Sequence, residues 1–348
     1  MPGAVGPAIR LVLRMRITIA FLLCAIATAG AQAFTFAALG DMPYSQDEAA
    51  FMANQLGPQL RQAQPQFLIH YGDMKPGKQT CKTANIQQSY VRTLALLPTK
   101  VIYSPGDNDW TDCDREAAGS FNELKRLSLL RKLIADTPIP AGIGWQVKRQ
   151  HPHYPENSSW TLGDVSFLTV HVVGSSNGRR QILNPKLRGA DLAAYQKQAR
   201  REVLERDNAN LAWIESNFRA RTKRTRAFVI TMHTDPHDVK KKDRGRPPCD
   251  DKKAKKCHPY AKLTAALKVH AQAAKVAVLL IHGSTKEFCF DRPKLESKSP
   301  NLWHLNGPGD GITDAAMIRV NESDSNDAFV ITRLMAPGEK IPACKRRL

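Results

Sequence analysis

Short apolar runs alternate along the chain with stretches whose apolar residues recur at helical spacing, which predicts an α/β layered domain. Phe34 to Leu39 reads as a first strand, and Asp47 to Gln64 as a helix with Phe51, Met52, Leu56 and Leu60 on one side. Gln66 to Tyr71 and Lys100 to Ser104 read as further strands, Ser89 to Leu97 and Phe121 to Ile134 as helices. Ser159 to Leu162 and Val165 to Val172 form a predicted hairpin around Gly163-Asp164. Ala190 to Phe218 predicts one long amphipathic helix or two. A strand over Ala227 to Met232, a helix over Tyr260 to Ala274 and a strand over Val276 to Ile281 follow. Ala315 to Val320 and Ala328 to Leu334 read as a closing hairpin, joined by the acidic turn Glu322 to Asp327.

The residues directly after each predicted strand carry the chemistry. The first strand runs into Gly40-Asp41-Met42-Pro43-Tyr44, the second into Gly72-Asp73, the third into Pro105-Gly106-Asp107-Asn108-Asp109-Trp110. Two later strands end in Met232-His233-Thr234-Asp235 and in His282-Gly283-Ser284-Thr285-Lys286. In open α/β sheets such strand ends converge on one crevice. A single Gly-Asp is usually a turn. Three in order, followed by two strand-end histidines, point to a shared metal or phosphate site. Carboxylates with His and Asn suit Mn, Fe or Zn. One shared carboxylate can bridge two such ions about 3.5–4 Å apart, an arrangement that activates water and clamps a phosphoryl group.

The order of these motifs resembles the calcineurin-like metallophosphoesterases, whose pattern is Asp-x-His, Gly-Asp, Gly-Asn-His-Asp/Glu, a lone His and Gly-His-x-His. The resemblance spans roughly Phe34 to Pro293. It is similar to an exported bacterial branch in the motifs that read here Gly40-Asp41-Met42-Pro43-Tyr44 and Pro105-Gly106-Asp107-Asn108-Asp109-Trp110-Thr111-Asp112-Cys113. It implies a four-layer sandwich of two mixed β-sheets flanked by helices, hydrolysing phosphomonoesters or phosphodiesters. It also implies metal ligation by Asp41, by Asp73 as the bridging acid, by Asp107 or Asn108, and by His233. Asn108 stands at the catalytic His position, and Asn cannot act as a general acid. His237 or His282 is the expected replacement donor, or else structural. Pro43, Ser284 and Lys286 stand where the family has metal-binding histidines. Lys286 therefore either offers a point charge to phosphate in place of the first metal or is a surface residue. The expected count is one or two divalent ions, or none. The expected function is a metal-dependent phosphoesterase; the alternative is a degenerate relative that binds an anionic ligand or partner.

Composition adds three points. The formal charge of +19 favours a phosphorylated or other anionic small-molecule substrate. Nucleic acid fits the charge, but no motif supports it. Arg10, Arg14 and Arg16 precede an apolar run from Ile17 to Ala29 and an Ala31-Gln32-Ala33 cleavage pattern. This predicts a signal peptide over residues 1–33, with an uncleaved anchor as the other reading, and one domain over 34–348 in the periplasm or outside the cell. No later stretch is apolar enough to span a membrane. Cys24 leaves with that signal, and the remaining six cysteines fit oxidising conditions. Their placement suggests Cys81–Cys113, Cys249–Cys257 and Cys289–Cys344, one of fifteen connectivities.

Three further segments carry weaker expectations. Lys240 to Lys256 holds nine Lys or Arg, and predicts an exposed basic insertion at about 240–258. Gly174-Ser175-Ser176-Asn177-Gly178 is either a phosphate-holding loop or a polar turn. His171 reads as a satisfied core histidine.

Overall fold

Successive side chains of a strand face opposite sides, so a strand buried on both sides serves two hydrophobic layers at once. The computed structural model, which describes residues 33–179, 186–250, 256–291, 301–321 and 327–345 besides Met1 and Gly3, is built on this rule. The chain divides into two units, Met1–Gly30 and Ala31–Leu348, and every described strand and helix lies in the second. The expected export segment lies outside the described residues except for Met1, Gly3 and Ala33, as do Glu322 to Asn326 of the acidic turn and residues 251–255 of the basic insertion.

The chain begins with β1 (Phe34–Leu39), α1 (Gln46–Phe51), a π-helical stretch over Met52–Leu56, and α2 (Gly57–Ala63). Next come β2 (Leu68–His70), α3 (Thr83–Leu94), β3 (Val101–Tyr103) and α4 (Glu123–Asp136). Short strands β4 (Ala141–Gly142), β5 (Trp145–Gln146) and β6 (Lys148–Arg149) lead to β7 (Ser158–Leu162) and β8 (Val165–Thr169). A single turn, α5 (Gly174–Asn177), and the long α6 (Gly189–Arg219) precede β9 (Ala227–Thr234). The rest is α7 (Ala261–Ala274), β10 (Ala277–Gly283), β11 (Cys289–Asp291), β12 (Leu302–Asn306), β13 (Ala316–Val320) and β14 (Phe329–Arg333).

Two mixed sheets result, ordered β14-β13-β1-β2-β3 and β11-β12-β10-β9-β8-β7-β6. In the first, β1, β2 and β3 run parallel; in the second, β8, β9, β10 and β12 do. Phe36, Phe67, Ile69 and Ile318 of the first sheet share one core with Phe167, Val229, Leu279, Ile281 and Trp303 of the second. The alternate residues face outward. Ala37, Leu39 and Leu68 pack under Met52, Leu56 and Leu60; Phe228, Ile230, Val278 and Leu280 pack under Ile214, Phe218, Leu263 and Leu267. The product is the expected four-layer arrangement of two mixed sheets between helices. Burying each of these aromatic side chains contributes roughly 1.5–3 kcal/mol.

The expected helix from Asp47 is one helical run from Gln46 to Ala63, capped by the Ser45 hydroxyl, which accepts from the Glu48 N–H. The helix expected from Ser89 starts earlier, at Thr83, and Ala190 to Phe218 is a single helix. The hairpins β7–β8 and β13–β14 pair as expected. Strands β4, β5, β6, β11 and β12 were not anticipated. Four are two or three residues long, too short to display a period, and β12 follows a polar, charge-rich stretch.

All three suggested disulfides are present. Cys81–Cys113 closes a loop with a sequence separation of 32 that contains the Asp107 segment. Chain-entropy arguments assign such a loop about 3–4 kcal/mol. The Cys81→Ala/Cys113→Ala variant is accordingly expected to lose stability of that order in urea melts. An unchanged midpoint would show that the bond does not constrain the unfolded chain.

Candidate metal centre at the strand ends

The parallel strands of the two sheets deliver their carboxyl ends to one edge of the sandwich. Asp41 and Asp73 follow β1 and β2, both with left-handed backbone (φ 53° and 54°), and both are buried. His233 comes from the penultimate position of β9 and is fully buried. Among the described residues these three form the group whose donor atoms all lie within 4.8 Å of one another. That spacing accommodates one ion.

A network of backbone hydrogen bonds holds the carboxylates. Asp41 Oδ2 accepts from Ser284 N–H at 2.8 Å, and Asp73 Oδ1 accepts from Asn108 N–H at 2.9 Å. Behind them, the buried Asp109 carboxylate accepts from the N–H groups of Asp73 (2.9 Å), Met74 (3.0 Å) and Gly106 (2.8 Å), and from the Tyr103 hydroxyl (2.6 Å). The loops after β2 and β3 are thereby tied together. They touch at two glycines. A Cβ on Gly72 (φ 103°) would stand 2.2 Å from Gly106 N, and one on Gly106 would stand 2.1 Å from Asp73 Oδ1. Both contacts are closer than real side chains come, which explains the glycine before each acid.

The orientation of His233 defines the electrostatics. Its Nδ1 lies 3.0 Å from the Tyr71 carbonyl, which can only accept, so Nδ1 carries a proton. Its Nε2 faces Asp107 Oδ1 at 3.2 Å and Asp73 Oδ1 at 3.5 Å. A neutral ring would aim a lone pair at carboxylates. Without a cation the centre therefore holds extra protons. Burial pushes Asp41 up to about 6, partly offset by His233, and raises Asp73 well above the carboxylate range. Burial also disfavours the imidazolium of His233, but Asp73, Asp41 and Asp107 outweigh it and raise its pKa. Asp107 is held low, its burial outweighed by the hydrogen bond and charge of His233. Two raised carboxyls beside an imidazole whose other nitrogen is bonded to a backbone carbonyl form a donor set that fits a divalent cation.

The remaining expected residues divide. Asp107 adjoins His233, and its Oδ2 accepts from the Ser175 hydroxyl at 3.3 Å. Asn108 is half-buried, with Nδ2 3.2 Å from the Tyr44 hydroxyl. Lys286 is exposed, and among the described residues no hydrogen bond or ion pair joins it to the group. Lys75, not Lys286, is the lysine buried behind the site; its ammonium donates to the carbonyls of Pro76 and Gln79, and burial lowers its pKa. Gly174 to Asn177 is a tight turn with Ser175, Ser176 and Asn177 left-handed, packed beside Asp107 rather than open. His171 is buried between Trp110 Nε1 (3.1 Å) and Glu156 Oε1 (2.9 Å), as a core histidine.

Sequence reasoning missed Tyr44. Its hydroxyl donates to Asp73 Oδ2 at 2.9 Å and lies 3.3 Å from Asp41 Oδ1, between the two acids. Burial and the neighbouring Asp73 and Asp41 charges raise its pKa, so it remains a donor at neutral pH. Its place directly after the Gly40-Asp41 turn was the available signal.

No protein-family model matches the chain, and no curated protein matches it. Among solved structures it is similar to GAP50, the anchor in the inner membrane complex of Plasmodium, at 10% identity, over 90% of each chain and with a TM-score of 0.42. It is also similar to the Thermus thermophilus sulfate thiohydrolase SoxB in complex with glycerol, at 13% identity and a TM-score of 0.33. That match covers 85% of this chain and 43% of SoxB, so this chain spans less than half of that structure's length. At these scores neither likeness decides activity.

Removing the Tyr44 hydroxyl leaves a buried carboxyl oxygen of Asp73 without its donor. Tyr44→Phe is expected to destabilise the metal-free protein by about 1–3 kcal/mol in urea unfolding. A neutral substitution would mean that water replaces the phenol.

Proposed function

We propose that this chain is an exported, divalent-metal-dependent phosphoesterase of the calcineurin-like type, hydrolysing a phosphomonoester or phosphodiester, with a single ion. The observation that carries this reading is His233 Nε2, facing buried acids while Nδ1 is committed to a backbone carbonyl. Asp41, Asp73 and His233 would hold the ion, with Asp107 and Asn108 beside it. Mn, Fe and Zn all suit this donor set. Bound there, such an ion supplies Lewis acidity and lowers the pKa of water.

The chain's own groups supply orientation and charge. Asn108 Nδ2 is a neutral donor at the rim, suited to a phosphoryl oxygen. Tyr44 keeps Asp73 oriented through its hydroxyl. Lys286, exposed beyond Ser284, adds positive charge on the approach, and the basic composition attracts an anionic substrate. Pro43 and Ser284 offer no side-chain ligand, which supports one ion rather than two. Export is supported by the Arg10 to Ala33 pattern, and the three disulfides mark an oxidising environment, so the site of action is the periplasm or the exterior. Residues 1–33 are then the signal and 34–348 the working domain. Among the described residues no helix is long and apolar enough to cross a membrane.

A second reading, a non-catalytic relative that binds an anion, is favoured by one feature. The Tyr44 hydroxyl already bridges Asp41, Asp73 and Asn108, filling space between the would-be ligands. Hydrolysis assays separate the two. With Mn, purified protein is expected to turn over a chromogenic phosphomonoester or phosphodiester, and Asp73→Asn to reduce this to background. Wild type without metal uptake or turnover would remove the enzyme reading; full activity in Asp73→Asn would remove this site from it.

Metal uptake must displace protons. Because Asp41 is raised to about 6, binding is expected to weaken as pH falls through that value and to strengthen above it. Equilibrium dialysis at pH 5 and pH 7.5 measures the difference, and equal uptake at both would contradict the assigned ligand.

A further inference from the structure

The opposite face of the second sheet carries a separate group of nitrogen ligands. His233 faces the sandwich core side of β9, where Val229 also points. On β10 and β12, Leu279, Ile281, Trp303 and Leu305 occupy that inner face, so the alternation sends His282, His304 and Asn306 outward with Leu280 and Leu302. Their register sets His304 opposite Leu280 and Asn306 opposite His282. The segment after β9 folds over the same spot, bringing Asp235 and His237. His282 Nε2 lies 3.9 Å from Asp235 Oδ1, and the His237 and His304 rings are 5.1 Å apart, centre to centre. His282 and His304 are 6.5 Å apart.

This group has unmet polar capacity. His237 Nε2, His282 Nδ1 and Asn306 Oδ1 are buried atoms without a hydrogen-bond partner among the described residues. His282 and Asn306 are each only 3% exposed. A buried polar atom left in this state destabilises the fold unless something binds it. Burial holds His237 and His304 below their usual pKa, His304 at about 3, so both rings keep a lone pair at neutral pH. Asp235 is held low, its burial outweighed chiefly by His282 and by the backbone N–H of His237, from which its Oδ1 accepts at 2.8 Å. Lys268 of α7 is the cation facing these rings, and it too disfavours their protonation.

Three imidazoles and a carboxylate are the ligand set of a borderline divalent ion. Two imidazoles on one tetrahedral ion have ring centres about 5 Å apart at ordinary Zn–N distances, which matches His237 and His304. As the side chains stand, no three of these four residues bring donor atoms within 4.8 Å of one another, so an ion would gather them by rotation about χ2, a soft torsion. We propose that Asp235, His237, His282 and His304 form a second metal site, specific for zinc-like transition ions and separate from the Asp41–Asp73–His233 centre.

The test uses untagged, chelator-stripped full chain carrying Asp73→Asn, which disables the first centre. Co2+ titration followed by visible absorption, with equilibrium dialysis for stoichiometry, is expected to show one tightly held equivalent. Adding His237→Ala and His304→Ala should abolish it while the circular dichroism melt confirms folding. His304→Asn, at a half-buried position, is the milder variant and should weaken or lose the equivalent. If Asp73→Asn protein takes up no ion, the orphan atoms are met by water and the proposal fails. It fails equally if the histidine variants keep the equivalent. Activity of the first centre does not enter either readout.

Discussion

The carboxylate of Asp109 is the constraint on which the candidate centre depends. It collects three backbone N–H groups and a tyrosine hydroxyl from two separate loops, and water cannot reach it. A buried acid with four donors is a far stronger tie than a surface ion pair, because each donor would be orphaned without it. The loop carrying Asp73 and the loop carrying Asp107 and Asn108 are therefore one rigid body. The two glycines where they touch are a consequence of that closeness, and the placement of Asp73 Oδ1 against Asn108 N–H follows from it.

The second organising fact is the concentration of negative charge at a buried point. Asp41, Asp73 and Asp107 converge with one histidine as the direct counter-charge. Folding such a group without a cation means folding it partly protonated. Among the described residues no arginine pairs directly with these three acids, Arg115 acting on Asp107 only by its charge, whereas the Arg131–Glu156–His171 group closes its own contacts at 2.7 and 2.9 Å. In that second group the acid is held low, to about 2, with its burial outweighed by Arg131 and His171. The contrast separates a structural ion-pair cluster from a group of acids whose charge is left unbalanced.

Much of this was legible in the sequence because it is local. Strand alternation and helical spacing are short-range signals, and Gly-Asp directly after an apolar run marks a turn at a strand end wherever the strand lies. Asp41, Asp73 and His233 could be singled out on that basis, together with an α/β layered domain and, from their placement, the cysteine pairs; the four-layer arrangement of two sheets followed from the motif resemblance instead. Tyr44, Lys75 and the Asp235–His304 group could not. Tyr44 matters because its hydroxyl reaches across to another strand's acid, and Lys75 because the chain just after it turns its carbonyls onto the ammonium. The grouping of His282 and His304 requires the β10–β12 register, and the five residues of β12 follow a charge-rich stretch that hides the strand in the sequence. Lys286 illustrates the converse: its position in the motif is suggestive, while its side chain sits in solvent.

The bond between Cys81 and Cys113 fastens the segment that presents Asp107 and Asn108, with Asp109 at its base. Thiols remain reduced in most cytosols and join outside them. Reduction of that bond would free the stretch of chain on which those two side chains sit and leave the Asp109 hydrogen bonds among its remaining ties. The redox state of the surroundings thus acts on the strand-end acids through one covalent link that touches none of their carboxylates.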